Sequence, residues 1–581
     1  MSEAESEIRE LARKYAFQNA LRHSGKASGK AVVGKILAAQ PGLKSRLKEL
    51  FAIVADAVEE VNRLTPEQQR EEAEKWPGLL EARRGEEERR LPPLPNAERC
   101  ERVVTRFSPN PDCVLHLGSV RAIILSHDYA RMYDGLFILR FEDTDPRLKK
   151  SALEFYDSIR DDLRWLDCPW DAEYIQSDRI PIYYDHAEQL LEKGGAYVCT
   201  CPRDEYRKLI LNGRPCPCRS LSTEDGLARW RMMLDGSYRE GEAVYRVKTS
   251  LTHPNPAVRD WPAFRIIDPS KSPHPRVGGR YRVWPLYNFA CGVDDHLLGV
   301  THVIRGKEHM TNTVRQRYLY RYFGWAYPEA IHYGRLRIAG AELSKSKILQ
   351  SVAERAVSGF DDPRLATLKA LRRRGISPAT LRMMITEVGV KPIDATISWE
   401  NIYALNRKVV EPAANRRFYV DGPVPLRVEK VWEPVEARLP LHPDHPERGE
   451  RRIPVTPSEG VARLLISRSD LKLASPRRVI RLIELFNVKV REATETHITA
   501  ELHSRSVEEA RAEGAPLIQW VNADQNIDVE ILMPDASLRR GKGEEGIGGE
   551  KEGGVIQLVR VGFARVEEVS EEKAALCFAH E

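Results

Sequence analysis

Residues 105–122 read TRFSPNPDCVLHLGSVRA, and this stretch decides the fold of the chain. It opens as an apolar strand, passes through a proline-punctuated loop, and continues into an amphipathic helix that the pattern starts near Val120. A second short apolar strand, LFILRFED, follows at residues 136–143. A strand, a loop, a helix and another strand in this order predict a parallel βαβ unit.

Further elements extend from this unit in both directions. Apolar segments at residues 281–290 (YRVWPLYNFA) and 297–306 (LLGVTHVIRG) predict more strands, separated from the first unit by a long insertion. Residues 348–420 have a helical pattern, and short strand-like segments alternate with turns from about Pro423 onward, which favours β-barrels. The first 80 or so residues are helix-like and contain the helix-start pattern TPEQ, and residues 82–98 are predicted to be a linker.

Composition limits the class of protein. A chain of 581 residues predicts three to five domains, and 42% apolar with 30% charged residues is typical of a globular protein in water. No apolar run approaches the ~20 residues of a membrane span, and the acidic N-terminus is unlike a secretory signal. We therefore expect no membrane association and a cytoplasmic location. The net charge of +5 permits nucleic-acid binding without proving it.

The tetrapeptide HLGS, residues 116–119, lies at the predicted junction of strand and helix. A helix N-terminus attracts phosphate through its unpaired N–H groups and its dipole. Gly118 allows the backbone to approach a purine ring, and His116 can donate a hydrogen bond to a phosphate oxygen. Alone, such a motif is more often a surface turn.

A second motif, AELSKSKI at residues 341–348, follows the last predicted strand. A lysine on a polar loop can bring its ammonium group onto the phosphates of a nucleotide. Alone, this string is more often a solvated loop. Two such motifs flanking the two βα halves are far more specific than either is separately.

Together with ILRFEDTDPR, AVYRVKT, VDDHLLGVTHVIRGKEH and IHYGRLRI, these motifs resemble class I aminoacyl-tRNA synthetases of the archaeal glutamyl type over about residues 102–348. The family signatures are HIGH and KMSKS. Two positions depart from them: Ser119 replaces the last histidine, and Glu342 replaces the first lysine. The second departure puts part of the phosphate binding in doubt but leaves the reaction class unchanged.

The resemblance implies a multidomain α/β + β fold, with a Rossmann-type catalytic domain and C-terminal β-barrels that bind the anticodon. The expected divisions are residues 1–95 (helical extension and linker), 96–198 (first catalytic half), 199–281 (acceptor-end-binding insertion), 282–347 (second catalytic half), 348–420 (helical connector) and 421–581 (β-barrels).

The resemblance also implies a glutamate–tRNA ligase that uses ATP with Mg²⁺. A glutamate side chain needs a cation, and arginine presents a planar charged fork for it. Glu142 is expected to bind the α-ammonium group. The implied catalytic residues are His116 and Lys345. The implied ATP-binding residues are His116, Gly118, Ser119, Leu336, Ser344, Lys345 and Ser346. The implied glutamate-binding residues are Arg106, Ser108, Glu142, Tyr287 and Arg305.

Alternatives to this function stay open. Glutaminyl enzymes are the nearest, although they tend to read FDDTN where this chain reads FEDTD and to carry a small residue in place of Arg305. A small-molecule adenylyltransferase and an inactive tRNA-binding paralogue are the other two. The expected partners are L-glutamate and tRNA(Glu), with tRNA(Gln) an open question, and the expected state is a monomer.

Four of the nine cysteines, Cys199, Cys201, Cys216 and Cys218, form two Cys-x-Cys pairs separated by fourteen residues. Four thiolates match structural Zn²⁺ by type and number, and the absence of an open position argues against a catalytic metal. A set of metal-free thiols is the alternative. For RNA, Arg372, Arg373, Arg374, Arg407, Lys408, Arg416 and Arg417 are candidate phosphate contacts, with solvated helix faces as the alternative.

Overall fold

The computed structural model of the chain describes residues 3–22, 26–39, 43, 47–73, 75–76 and 91–581. It divides into two compact units, residues 1–90 and residues 91–581. Residues 82–90 of the predicted linker lie outside the described residues. Over the part of the chain described, no helix is both long and apolar enough to cross a bilayer.

The first unit is helical, as the periodicity predicts. Thr65 and Gln68 form a reciprocal capping box, in which Gln68 N donates to Thr65 Oγ1 and Thr65 N donates to Gln68 Oε1, so the TPEQ pattern does begin a helix. The helices bury a common apolar core that includes Phe17, Val32 and Val54. They are α1 (Glu3–Arg22), α2 (Gly29–Ala39), α3 (Leu47–Asn62) and α4 (Pro66–Ala73).

The second unit opens with the predicted βαβ arrangement, continued by a further helix and strand. All three strands run parallel, and Arg106 is paired with Ile138 in the register. Apolar residues on every strand pack against the crossover helices, which explains the continuous hydrophobic runs. The elements are β1 (Val104–Phe107), α5 (Leu117–Met132), β2 (Leu136–Phe141), α6 (Leu153–Trp165) and β3 (Ala172–Ile175).

A four-stranded antiparallel sheet with three helices follows. It begins at Ala196 and ends at Pro285, so YRVWPLYNFA is strand only in its first half, because the chain enters a helix at Tyr287. Buried aromatic rings, including Trp230 and Phe264, fill its core. The elements are α7 (Ile180–Glu192), β4 (Ala196–Cys199), α8 (Arg203–Leu211), α9 (Thr223–Asp235), β5 (Val244–Val247), β6 (Pro262–Ile266) and β7 (Val283–Pro285).

The chain then returns to the parallel sheet. Strands β8 and β9 pair in parallel, and Thr301 N donates to Val104 O at 3.0 Å, which brings β8 beside β1. The strand order is therefore β3-β2-β1-β8-β9. The chain adds strands on one side of β1 and then on the other, so the boundary between β1 and β8 is the topological switch point, where sheets of this kind bind ligands. The elements are α10 (Tyr287–Leu297), β8 (His302–Gly306), α11 (Met310–Phe323), β9 (Glu329–Tyr333) and β10 (Leu336–Ile338).

The helical pattern predicted for residues 348–420 ends earlier, at Val410, because Arg416 and Arg417 form a strand that pairs with Gln557 and Leu558. The helical segment before that point connects the sheet to the remaining third of the chain. Its one strand, β11, pairs in parallel with β10, so that Leu336 lies opposite Ala395. Arg121 of α5 donates to the backbone oxygens of Gly334, Gly389 and Lys391 and so fixes α5 to this segment. The elements are α12 (Lys345–Ala353), α13 (Leu368–Arg373), α14 (Pro378–Val388), β11 (Ala395–Ile397) and α15 (Trp399–Val410).

The last third is built of β-strands, as the alternating pattern predicts. Two seven-stranded, near-closed sheets have the orders β12-β25-β26-β27-β23-β24-β13 and β21-β18-β19-β20-β14-β17-β22, and β15 and β16 form a separate hairpin. The elements are β12 (Arg416–Arg417), β13 (Tyr419–Asp421), β14 (Val424–Glu429), β15 (Val435–Pro440), β16 (Glu450–Val455), β17 (Val461–Ile466), β18 (Val479–Leu482), β19 (Asn487–Ala493), β20 (Ile498–Ser504), α16 (Val507–Ala512), β21 (Leu517–Ile518), β22 (Trp520–Asn522), β23 (Asn526–Leu532), β24 (Leu538–Glu544), β25 (Val555–Leu558), β26 (Gly562–Val569) and β27 (Lys573–His580).

Candidate active site

His116 caps the helix that follows the first strand. Helix α5 begins at Leu117, three residues before the predicted start, because the His116 ring nitrogen Nδ1 accepts a hydrogen bond from Gly118 N at 3.0 Å. Ser119 N donates to His116 O at 2.8 Å. A Cβ atom at position 118 would lie 2.8 Å from His116 Cε1, so the position of the ring requires glycine there.

The protonation of His116 follows from its surroundings. Burial and the nearby charge of Lys345 lower the pKa of His116 to about 4, so the imidazole is neutral near pH 7. Because Nδ1 accepts the Gly118 N–H, the single ring proton resides on Nε2. His116 is therefore a hydrogen-bond donor at the N-terminal end of α5.

Lys345 brings the second motif to the first. Its Nζ donates to Asp112 Oδ1 at 2.6 Å and to the backbone oxygen of Asn110 at 3.3 Å. Both partners lie on the loop between β1 and α5, so the two sequence motifs meet although 233 residues separate Asp112 from Lys345.

Glu342, the residue that departs from the family signature, has local partners. Its carboxylate accepts from Ser344 N at 2.8 Å and pairs with Lys347 Nζ at 2.9 Å. The Lys347 bond and the Ser344 N–H lower the pKa of Glu342. Ser344 Oγ lies 3.0 Å from Ser346 Oγ, at the start of α12. The acid at the position of the first lysine is thus balanced by the lysine five residues later.

Leu336 lies deeper than the polar members of this group. It is the first residue of β10 and is buried in the core cluster that also contains Leu117 and Val120.

A buried ionic cluster surrounds Arg106. Arg106 forms a two-pronged pair with Asp295, with nitrogen–oxygen distances of 3.0 and 3.1 Å. Arg140 donates to the same carboxylate at 2.8 Å and to Glu142 Oε1 at 3.0 Å. The Arg106 and Arg140 guanidinium groups hold the pKa of Asp295 well below its usual range despite burial, whereas burial raises the pKa of Glu142.

Arg305 differs from Arg106 in having only neutral partners. NH1 donates to Tyr287 OH at 3.1 Å, and NH2 donates to Thr313 Oγ1, Gln316 Oε1 and Tyr327 OH at 2.7–3.1 Å. The residue is 5% exposed, its Nε has no hydrogen-bond partner, and no ion pair to it is found among the described residues. A buried cation without a counter-charge calls for an anionic ligand.

The five residues expected to bind glutamate are brought to the ends of β1, β2 and β8 and to the start of α10. Ser108 Oγ is buried there and has no hydrogen-bond partner among the described residues. The sequence analysis does not single out Arg140 and Asp295, although both lie in motifs quoted above. A linear motif does not show which charged side chains will contact each other once they are buried. The buried Cys291 thiol belongs to the same cluster, with its Sγ 3.6 Å from Arg106 NH2 and 3.3 Å from Arg140 NH2.

The four clustered cysteines come together in the insertion. Their sulfur atoms all lie within 4.8 Å of one another, with Cys199 and Cys216 at 3.9 Å and Cys201 and Cys218 at 3.7 Å. A tetrahedron with Zn–S bonds of about 2.3 Å has edges of about 3.8 Å, so this donor set fits Zn²⁺. Arg229 NH1, 3.3 Å from Cys218 Sγ, adds positive charge beside the thiols.

Of the seven basic residues predicted as RNA contacts, two are buried and five are at least partly exposed. Arg374 and Arg417 are buried and bound internally, Arg374 to Tyr403 OH and Arg417 to Glu544 and Glu550, so these two predictions are wrong for this structure. Their sequence context is Arg-rich, which did not reveal that tertiary packing covers them. Arg372 and Arg407 lie at the surface.

Comparisons with known proteins identify the family to which the sequence belongs. Residues 102–412 match the catalytic domain of class I tRNA synthetases (E and Q), and residues 414–505 match the anticodon-binding domain of the same group. The glutamate–tRNA ligase of Thermococcus kodakarensis is 51% identical over 577 residues, covering 99% of this chain and all of the relative. That of Pyrococcus furiosus is 50% identical over 581 residues, with the same coverage.

A solved glutamate–tRNA synthetase from Elizabethkingia anophelis is 22% identical and aligns with a TM-score of 0.39, over 53% of this chain and 71% of that one. The full-length likeness to the first two relatives is the stronger finding. The chain therefore belongs to the glutamate–tRNA ligase family of class I tRNA synthetases.

Proposed function

We propose that this chain activates L-glutamate with MgATP and transfers it to the 3′-terminal ribose of tRNA(Glu). In the first step the glutamate α-carboxylate attacks the α-phosphorus, the bond to pyrophosphate breaks, and glutamyl-adenylate forms. In the second step a ribose hydroxyl attacks the adenylate carbonyl and AMP leaves.

The unpaired guanidinium of Arg305 is the single observation that carries the choice of glutamate. Arg106 is already neutralised by Asp295, so Arg305 is the cation that remains for the substrate's γ-carboxylate. A glutamine amide would leave this charge buried without a counter-charge. We therefore expect kcat/KM for glutamine to be lower than that for glutamate by roughly tenfold to a thousandfold. Glu142 takes the α-ammonium group, and Tyr287 and Ser108 complete the pocket.

His116 and Lys345 act on the phosphates. Nε2–H of His116 donates to an oxygen that gains charge in the transition state, and the Lys345 ammonium balances that charge. Gly118, Ser119, Leu336, Ser344 and Ser346 contact the nucleotide. No covalent enzyme intermediate is required, so alignment and electrostatics supply the rate enhancement.

ATP–pyrophosphate exchange tests this function and separates it from the alternatives. We expect exchange that depends on glutamate and requires tRNA. Exchange driven by glutamine would indicate a glutaminyl enzyme. Glutamate-dependent exchange without formation of glutamyl-tRNA would indicate a small-molecule adenylyltransferase. If no exchange occurs even when tRNA is added, the chain is an inactive paralogue.

The four cysteine thiolates hold a structural Zn²⁺ in this proposal. The sulfur spacing supports it, and Zn²⁺ would cross-link β4 to the segment containing Cys216 and Cys218, without a place for substrate. Metal analysis of the purified protein tests it: one zinc per chain, lost when Cys201 and Cys218 are both replaced by Ser, is the expected result. A metal-free, folded protein would contradict it.

The finer assignments complete the proposal. The insertion, residues 199–281, binds the acceptor end, and the barrels, residues 421–581, bind the anticodon. The remaining proposed divisions are the helical extension and linker (residues 1–95), the two catalytic halves (residues 96–198 and 282–347) and the helical connector (residues 348–420). The chain is proposed to be a cytoplasmic monomer. Charging assays on purified tRNA(Glu) and tRNA(Gln) test whether the second tRNA is also a substrate.

A further inference from the structure

Lys345 is held by the loop on which His116 lies. Its ammonium group has three N–H donors, of which one is given to Asp112 Oδ1 at 2.6 Å and one to Asn110 O at 3.3 Å. The third remains for another acceptor. The Lys345 charge also contributes to the lowered pKa of His116, so the two groups interact electrostatically.

The loop that carries Asp112 is itself fixed. Glu142 N donates to Pro109 O at 2.9 Å, and Ala152 N donates to Pro111 O at 3.1 Å, which ties the loop to the segment after β2. Cys113, the next residue, is fully buried. The backbone that carries Asp112 is therefore held in place, so the position of its carboxylate does not depend on that of Lys345.

We infer that Asp112 is a positioning residue that holds the Lys345 ammonium beside His116 and directs its remaining N–H toward the phosphates. A lysine side chain has four rotatable bonds and loses rotamer entropy when it is fixed. Asp112 provides that ordering in advance, so ATP meets a placed cation. This inference rests on the proposed role of Lys345 in adenylate formation.

A double-mutant cycle in tRNA-dependent ATP–pyrophosphate exchange tests the inference. We expect Asp112→Ala to lower kcat about twofold to fivefold, as for a partly exposed ion pair, without changing KM for glutamate. Asp112→Asn, which keeps an acceptor oxygen, should lose less. In a Lys345→Ala background, Asp112→Ala should have no further effect, because its partner is already gone.

The controls give each outcome a meaning. Asp157→Ala removes an exposed acid of α6 that pairs only with Arg160 in the described structure, and it should leave exchange unchanged. An unchanged or raised kcat for Asp112→Ala overturns the inference, and so does an equal loss in both backgrounds, which indicates a general structural role. If Lys345→Ala itself exchanges normally, the proposed role of Lys345 fails first.

Discussion

The candidate active site has an amino-acid side, proposed to bind glutamate, and a phosphate side, proposed to bind ATP, and charged residues on the two sides differ in burial. On the amino-acid side, Arg106, Arg140 and Asp295 are at most 5% exposed and are bound to one another at 2.8–3.1 Å. On the phosphate side, the pairs Lys345–Asp112 and Glu342–Lys347 have side chains that are 21–68% exposed.

This difference separates two uses of charge. A buried charge that loses its partner is stranded in a medium that cannot solvate it, so the buried set behaves as one unit. An exposed pair is screened by water and contributes little to stability, so its groups are available to a ligand. The side proposed to bind glutamate is therefore held by the fold itself, whereas the groups of the loop proposed to bind phosphate remain available to a ligand.

The largest expected effect is on folding, from Asp295→Asn. Both Arg106 and Arg140 would lose their shared counter-charge, so we expect the free energy of unfolding to fall by about 3–5 kcal/mol. Urea denaturation followed by circular dichroism measures this loss. Asp112→Asn is the matched exposed change and should cost less than about 1 kcal/mol. Equal losses for the two variants would remove the contrast between the two sides.

Arg305→Leu should have the next largest effect, on catalysis. Loss of the cation that faces the γ-carboxylate should lower kcat/KM for glutamate by about 100-fold to 1000-fold, with KM for ATP nearly unchanged. Steady-state exchange kinetics measure both constants. Arg321→Leu, at the exposed end of α11, is the control and should behave like the unaltered protein. A larger effect on ATP than on glutamate would contradict the assignment of Arg305.

The pH dependence of exchange should report the buried state of His116. With the pKa of His116 lowered to about 4, its imidazole stays neutral down to about pH 5. His116 should therefore cause no loss of exchange rate as the pH falls through 6.5. Between pH 6.5 and 4 the unfolded chain binds this proton while the folded chain does not, so stability falls as pH falls through that window.

A pH–rate profile of the unaltered enzyme and of His116→Asn provides the measurement. We expect the variant to be slower at every pH and to lack the decline toward pH 4 that belongs to His116. An acid limb near pH 6.5 that disappears in the variant would show that His116 has an ordinary pKa.

Glu342→Lys should have the smallest effect. It restores the lysine of the family signature but removes an exposed pair with Lys347, so we expect no measurable loss of stability. An added cation near the phosphates should lower KM for ATP by a few fold. Glu354→Lys, an exposed change at the far end of α12, is the control. A loss of more than tenfold in exchange would show that Glu342 has a role of its own.

Much of the fold was predictable from local pattern. The βαβ order, the capping box at Thr65 and the strand-rich last third depend on periodicity and on neighbouring residues, which a sequence displays directly. The start of α5 was placed three residues too late, because its cap is the side chain of His116 folding back on Gly118. The second half of YRVWPLYNFA was taken for strand, because a short apolar run does not distinguish a strand from a buried helix.

The reaction class and the set of four thiols follow from the sequence alone, since both depend on which residues are present and in what order. The phosphate-binding and glutamate-binding residues are predictions of the same kind. The tertiary structure was needed to show that Arg106 has an ion-pair partner while Arg305 has none among the described residues. It also shows that Asp112 binds Lys345 and that Arg374 and Arg417 are buried. Each of these depends on the distance between groups far apart in the chain, and both Coulomb energy and desolvation depend on that distance and on burial.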